Sequence, residues 1–327
     1  MKSKNNDQPG LTAATAQPAK PVFILGSYRS GTSIFCWCLG QHPNMVNLPE
    51  TNWLAQLTVD LHRLYRLGTL NHRFSHLGQI DISLDRFYDL FGQGVEHIIQ
   101  AINPLLIEKT ERKPKGNLRR RRSPHDPKHR WVDATPENSH YVYALSKLFP
   151  EARFIHLLRN PDEVARSLMK FSAAGARDHA HDEAYHNWLR LVSVCYDAEQ
   201  ALGTKRMIRV QYDELVGNPE ETFQRVSSFL DEPYSADCCL PLQEKINSSR
   251  VSPESVPLHA TRAAREAHEL YQRILQGPQI ASDGDPVKYT EIEAVFLQYC
   301  QDMHAPPLRR VQRGVMQRIA RLWKKTG

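Results

Sequence analysis

The stretch Gly26-Ser27-Tyr28-Arg29-Ser30-Gly31-Thr32-Ser33 constrains this chain more than any other. Pro21-Val22-Phe23-Ile24-Leu25 precedes it, a short apolar run that reads as a buried parallel strand. Ile34-Phe35-Cys36-Trp37-Cys38-Leu39 follows and stops at Gly40, which reads as a short helix with a glycine end. A strand, a glycine loop and a helix N-terminus make a phosphate cradle. Free backbone N–H groups and the positive end of the helix dipole point at the same anion.

The spacing G-x-x-x-x-G-T-S matches a Walker A loop except that Thr32 stands where the nucleotide-binding lysine belongs. The nearest cation, Arg29, comes before the second glycine. The loop is therefore built for phosphate, but not for the β- and γ-phosphates of ATP.

At 327 residues and 41% hydrophobic, the chain can bury a full-sized core. It has no run of eighteen apolar residues, so no membrane-spanning segment is expected. Residues 1–20 are polar, lack the apolar centre of a signal peptide and read as a disordered tail. Cys36, Cys38, Cys195, Cys238, Cys239 and Cys300 form no framework and no zinc spacing. They read as reduced thiols of a cytoplasmic protein, and no metal is expected.

The net charge of +6 is concentrated in two places rather than spread over a face. Residues 112–130 hold Arg119-Arg120-Arg121-Arg122 with almost no apolar residue, which reads as a solvated flexible loop. The sharper reading is a basic flap that attracts an anionic acceptor or nucleotide. No aromatic residue is interleaved for base stacking, so nucleic acid is not the expected partner. In residues 306–327, Leu308, Val311, Val315, Ile319 and Leu322 fall at helical spacing among arginines and lysines. That is a basic amphipathic helix, docked on the domain or lying peripherally on an anionic membrane.

Between these landmarks strands and helices alternate. A second apolar run, Met45-Val46-Asn47-Leu48, leads to Pro49-Glu50-Thr51, and as a strand it would end beside the glycine loop. Residues 54–70 and 80–107 read as helical, the latter interrupted near Gly92 and Gly94. They form an excursion suited to covering a substrate pocket, with Trp53 as a stacking face. Order resumes at Trp131-Val132-Asp133, followed by a helix over 137–148. Residues 152–158 are the second clear strand, ending at Arg159. Asn160 then suits an N-cap, Pro161 the first helical position and Glu163 a capping box. Arg159 at the strand tip and Ser167 two turns into the helix can face one anion. A helix over 182–202, a strand over 205–210, a helix to 230 and two later helices follow. The alternation implies an α/β class with a central parallel sheet between helical layers, over about residues 21–305.

The loop, Glu50 after the next apolar run, and Arg159 with Ser167 together resemble the sulfotransferases that use 3′-phosphoadenosine-5′-phosphosulfate (PAPS), notably the bacterial branch and the tyrosylprotein sulfotransferases. The resemblance extends over His42-Pro43-Asn44, over Phe149-Pro150-Glu151-Ala152-Arg153, and over Tyr212-Asp213-Glu214-Leu215 with Asn218-Pro219. It implies the three-layer α/β/α fold of P-loop NTPase-like sulfotransferases. It implies a PAPS donor held by Arg29, Ser30, Gly31, Thr32 and Ser33 at the 5′-phosphosulfate. Arg159 and Ser167 would hold the 3′-phosphate, with Tyr212 nearby. It implies Glu50 as general base, with Arg29 near the bridging oxygen where charge grows as the bond to sulfur breaks. A sulfuryl group carries less charge than a terminal phosphoryl group, so no magnesium clamp is called for. The acceptor is a hydroxyl on a carbohydrate, lipid, small molecule or peptide tyrosine.

Relatives often place a lysine where this chain has Ala134, so another cation must serve the transferring sulfate. The bland alternative for Glu50 is a helix cap. His42, in a turn, and His156, inside an apolar strand, are lesser candidates for the base. Two further readings stand beside the enzyme. One is a P-loop kinase or NTPase in which Arg29 replaces lysine and Asp133 holds magnesium. The other is a non-enzymatic membrane- or RNA-associated protein acting through its basic segments.

Overall fold

The computed structural model describes residues 20–112, 126–243, 260–277 and 280–304. The expected N-terminal tail up to residue 19, the arginine run of the basic loop and the expected C-terminal helix lie outside the described residues.

The strands are β1 (Val22–Leu25), β2 (Met45–Asn47), β3 (Arg130–Asp133), β4 (Arg153–Leu158) and β5 (Met207–Gln211). All pairs are parallel, in the order β2-β3-β1-β4-β5. Helices α1 (Thr32–Leu39), α2 (Asn52–Thr69), α3 (His76–Gln79) and α4 (Leu84–Arg112) precede β3. After β3 come α5 (Val142–Leu148), then α6 (Pro161–Leu168) and α7 (His181–Leu202) after β4. The chain closes through α8 (Tyr212–Gly217), α9 (Pro219–Phe229), α10 (Leu240–Gln243), α11 (Arg262–Gln276) and α12 (Pro286–His304).

Four consecutive buried residues make β1 the middle of the sheet, and their alternation builds the layers. Phe23 and Leu25 face a core closed by α2, α4, α5, α7 and α12. Val22 and Ile24 face a second core closed by α1, α8 and α9. A third cluster packs α6, α7 and α11 together beyond β4. Phe23 anchors the first core by stacking on Phe154 at 5.4 Å and meeting Trp131 edge-on at 5.5 Å. Such pairs each add about 1 kcal/mol beyond their area burial.

The sequence reading is corrected at four places. β3 is a strand, and it lies between β1 and β2, so β2 does not end directly beside the loop strand. Helix α4 runs unbroken through Gly92 and Gly94. Gly92 marks a close approach: a Cβ there would lie 1.7 Å from the Leu148 carbonyl oxygen. Residues 137–148 are a 3-10 turn, Pro136–Tyr141, followed by α5. At α6 the Asn160 cap accepts from the Asp162 amide at 2.9 Å as expected, but Glu163 does not close a capping box, because Arg159 takes its carboxylate at 2.8 Å.

Candidate active site

The loop leaves the carboxyl end of β1 where the strand order reverses, with β3 on one side and β4 on the other. That is where open α/β sheets bind ligands. Its backbone needs left-handed residues at three points: Gly26 (φ 145°), Arg29 (φ 65°) and Gly31 (φ 97°). The Gly26 amide donates to Ser139 Oγ at 3.3 Å, and a Cβ on Gly31 would lie 2.6 Å from the Tyr212 ring. Helix α1 begins directly at Thr32, with no side-chain cap and no acidic residue in its first turn. Its first amides therefore have no intrahelical acceptor. The Ser27 and Ser30 hydroxyls are buried and have no partner among the described residues. Unpaired buried donors at a bare helix N-terminus suit a phosphate.

A second anion position forms beside the loop. The Arg29 Nε donates to Ser167 Oγ at 2.9 Å, and the Arg29 guanidinium lies 5.0 Å from the Phe171 ring centre. Arg159 donates to the Arg29 carbonyl at 3.0 Å and stacks on the Tyr212 ring at 4.0 Å. Burial, and then the charge of Arg159, weaken the hold of Arg29 on its proton. Two guanidiniums and a hydroxyl thus converge from the loop, the β4 tip and α6, and like charges brought together in this way call for an anion.

Glu50 follows β2 and is exposed. It does not cap α2: the N-cap is Thr51, which makes no side-chain cap bond. Thr51 is instead pinned from below. Its amide donates to Thr135 Oγ1 at 2.8 Å and its hydroxyl to Asp133. The buried Asp133 carboxylate also accepts from the Thr135 amide at 2.9 Å, from Thr135 Oγ1 at 2.6 Å and from Asn138 Nδ2 at 2.7 Å. Four donors saturate it, so it is a structural hub and not a magnesium ligand. Through this hub the end of β3 carries Glu50 toward the loop, where its charge reaches Tyr28.

Tyr28 joins the loop to a polar network far away in sequence. Its hydroxyl donates to Glu137 Oε1 at 2.5 Å, and Arg190 of α7 grips both oxygens of Glu137 at 2.9 Å. Arg190 also meets His140 Nε2 at 2.6 Å. Burial, then Glu137, and more weakly Glu50, push the Tyr28 phenol well above its ordinary range, so it stays a donor. Burial and the Arg190 charge lower His140.

The Arg190 hydrogen bonds hold Glu137 down to about 2 from the usual 4.5, against burial and with help from Tyr28. A depressed carboxyl contributes stability above its unfolded pKa and loses it as pH falls through the folded one. Glu137→Gln should therefore lower the thermal midpoint near neutral pH. Thermal melts of the two chains should converge as pH falls from about 4.5 toward about 2.

The fold brings together Arg29, Ser30, Gly31, Thr32, Ser33, Arg159, Ser167 and Tyr212, with Glu50 on the β3 side of the loop. Position 134 is a buried alanine, and Arg190 of the Tyr28 network is bound to Glu137. Sequence reasoning missed Ser27, Glu137, Arg190 and Phe171. Only Ser27, inside the glycine loop, carried a local signal. His156 is in the core, with Nδ1 at 2.6 Å from Glu199, away from any role as base. His42 is likewise buried, with Nε2 at 2.8 Å from the Pro233 carbonyl. No group of His, Cys, Asp and Glu among the described residues is arranged to hold a metal ion.

Comparison with known proteins bears on this geometry. The protein-tyrosine sulfotransferase of Drosophila melanogaster is 29% identical over 114 residues, covering 34% of this chain and 22% of that protein. Protein-tyrosine sulfotransferase 2 of Gallus gallus is 24% identical over 216 residues, 65% of this chain and 52% of its own length. The chain thus spans at most about half the length of these curated relatives. Among solved structures, sulfotransferase STF9 from Mycobacterium avium aligns over 83% of this chain and 79% of its own, with 17% identity and a TM-score of 0.44. The profile of the sulfotransferase family matches residues 21–236, from the start of β1 to beyond α9 and across every residue of the site, and the chain belongs to that family.

Proposed function

We propose that this protein transfers the sulfuryl group of PAPS to an acceptor hydroxyl, leaving adenosine 3′,5′-bisphosphate. The observation that carries this reading is the pair of adjoining anion positions: the uncapped loop with two buried hydroxyls unpaired among the described residues, and the convergence of Arg29, Ser167 and Arg159. A donor with one phosphate on each side of its ribose matches both.

In this reading the loop amides with Ser30, Gly31, Thr32 and Ser33 hold the 5′-phosphate. Arg159, whose planar fork matches phosphate oxygens, holds the 3′-phosphate with Ser167, over the Tyr212 ring. Arg29 lies between the two positions and meets the charge that grows on the bridging oxygen. Glu50 takes the acceptor proton as the acceptor oxygen bonds to sulfur, and the bridging oxygen leaves with its electron pair. Arg190 occupies Glu137 and keeps that second carboxylate out of this role.

Isothermal titration with adenosine 3′,5′-bisphosphate tests the donor site directly. Binding of ATP in its place would overturn the proposal. Glu50→Gln should leave that affinity nearly unchanged and reduce transfer of labelled sulfate to a hydroxyl acceptor by roughly 100-fold or more. Full turnover in this variant would place the base elsewhere. The acceptor meets the site from the side of Glu50 and the exposed Trp53. Peptide tyrosine, a small phenol, a carbohydrate and a lipid alcohol are the acceptors to compare.

A further inference from the structure

One short stretch, residues 133–139, holds both halves of the site. Asp133 and Thr135 fix Thr51, the neighbour of Glu50. The Thr51 amide donates to Thr135 Oγ1 at 2.8 Å and the Thr51 hydroxyl to Asp133. Glu137 and Ser139 fix the glycine loop. Glu137 Oε1 accepts from the Tyr28 hydroxyl at 2.5 Å, and Ser139 Oγ accepts from the Gly26 amide at 3.3 Å. Asn138 closes the stretch on itself by donating to Asp133 at 2.7 Å. The sheet makes this bridge necessary. β2, which leads to Glu50, and β1, which leads to the loop, do not pair, because β3 lies between them. The end of β3 and the turn after it therefore carry the spacing from one side to the other.

Tyr28 sits where the loop is hardest to hold. The next residue, Arg29, is left-handed at φ 65° without being a glycine, a conformation that persists only where its surroundings over-determine it. Arg159 braces it from one side by donating to the Arg29 carbonyl at 3.0 Å. Tyr28 braces it from the other, through Glu137. That acceptor is itself immobilised, since Arg190 of α7 donates to both of its oxygens at 2.9 Å. Resting on the sulfuryl-transfer reading above, we propose that Glu137 is a positioning residue. Gripped by Arg190, it ties Tyr28 of the donor loop to the stretch that carries Glu50, and so fixes the distance between the donor and the base. It acts through Tyr28 and not on the reacting atoms.

Tyr28→Phe removes one hydroxyl, and Glu137→Ala removes the acceptor that holds it. Each should lower kcat for transfer of labelled sulfate by roughly 10-fold or more, because small misplacements of reacting groups are costly. Affinity for adenosine 3′,5′-bisphosphate should fall by less than about 3-fold, since the closed loop remains the dominant form. The two substitutions together should cost no more than one. In a Glu50→Gln background neither should lower kcat further, because the alignment it protects has no base left to serve; a general loss of fold would add in every background. Glu137→Gln keeps an oxygen for Tyr28 and should recover part of what Glu137→Ala loses. Hydrogen exchange reads the tether without any substrate: in both single variants the amides of residues 27–33 should exchange roughly 10-fold faster, while those of residues 154–158 keep their protection. Unchanged loop exchange overturns the tether, and losses that add to that of Glu50→Gln overturn the positioning role. A wild-type chain that neither binds the bisphosphate nor transfers sulfate overturns the sulfuryl-transfer reading and this role with it. A wild-type chain that does both, beside variants of full kcat, overturns this role alone.

Discussion

Arg159→Ala should weaken binding of adenosine 3′,5′-bisphosphate by roughly 100-fold, the loss expected for two charge-assisted hydrogen bonds worth about 3 kcal/mol together. The side chain is built to give that energy up only to a ligand. It is 21% exposed, its Nε is held by Glu163 at 2.8 Å, and its plane lies on Tyr212, so little rotamer freedom is left to lose on binding. The ligand itself supplies the control. Adenosine 5′-monophosphate lacks the 3′-phosphate, so its affinity should change little in the same variant, and the preference for the bisphosphate should collapse. An equal loss for both ligands would mean that Arg159 acts through the loop, by its bond to the Arg29 carbonyl, and not on the 3′-phosphate. Arg159→Lys should fall between, because an ammonium keeps the charge but neither the fork nor the stack.

Glu199→Ala should cost roughly 3 kcal/mol or more, a fall of about 5–10 °C in thermal midpoint. Glu199 is 1% exposed and serves two basic groups at once: His156 Nδ1 at 2.6 Å, and Arg209 through its Nε at 3.0 Å and a second guanidinium nitrogen. Burial alone would raise the pKa of this carboxyl. The charges and hydrogen bonds of His156 and Arg209 outweigh that and hold it below the usual carboxylate range. Removing it leaves a guanidinium between β5 and α7 without its counter-charge. It also costs the His156 ring its one partner, since His156 Nε2 already has none among the described residues. The pair Arg153–Asp231, equally short at 2.9 Å but with Asp231 69% exposed, is the contrast. Asp231→Asn, which keeps a residue tolerant of the left-handed backbone there, should cost well under about 1 kcal/mol. Urea titrations of the two variants separate a buried ion cluster from a solvated one.

The glycine loop and the Arg159–Ser167 turn were legible as local structure because each is written in a short stretch with a known spacing. The loop, the Arg159 strand tip and Ser167 each sit where a strand, a turn and a helix are written in a few consecutive residues. The strand β3 was not legible. It has four residues and ends in Arg130 and Asp133, whose charges obscure an apolar run. Both are buried because each saturates a set of hydrogen bonds that only the folded chain assembles. Arg130 bonds the Lys20 carbonyl at 2.8 Å, and Asp133 gathers Thr51, Thr135 and Asn138. The Tyr28–Glu137–Arg190 network was invisible for the same reason, since its members stand 109 and 53 residues apart. Gly92 and Gly94 misled in the opposite sense. Read as helix breaks, they lie inside an unbroken helix: a carbonyl comes close to Gly92, while Gly94 faces open space.

The Tyr212 ring lies so close to Gly31 that a Cβ there would clash with it, and it carries the Arg159 guanidinium 4.0 Å from its centre. A single ring thus spaces the loop from the Arg159 guanidinium, and under the proposed function this has an evolutionary consequence. Neither neighbour can drift alone: a side chain at position 31 collides with the ring, and a smaller ring lets Arg159 sag toward the loop. A lineage moving to a donor of different length would have to change the glycine, the ring and the arginine together. Such concerted steps are rare, so the donor end of this site is expected to stay fixed while the helical excursion bearing Trp53 diverges freely to meet new acceptors.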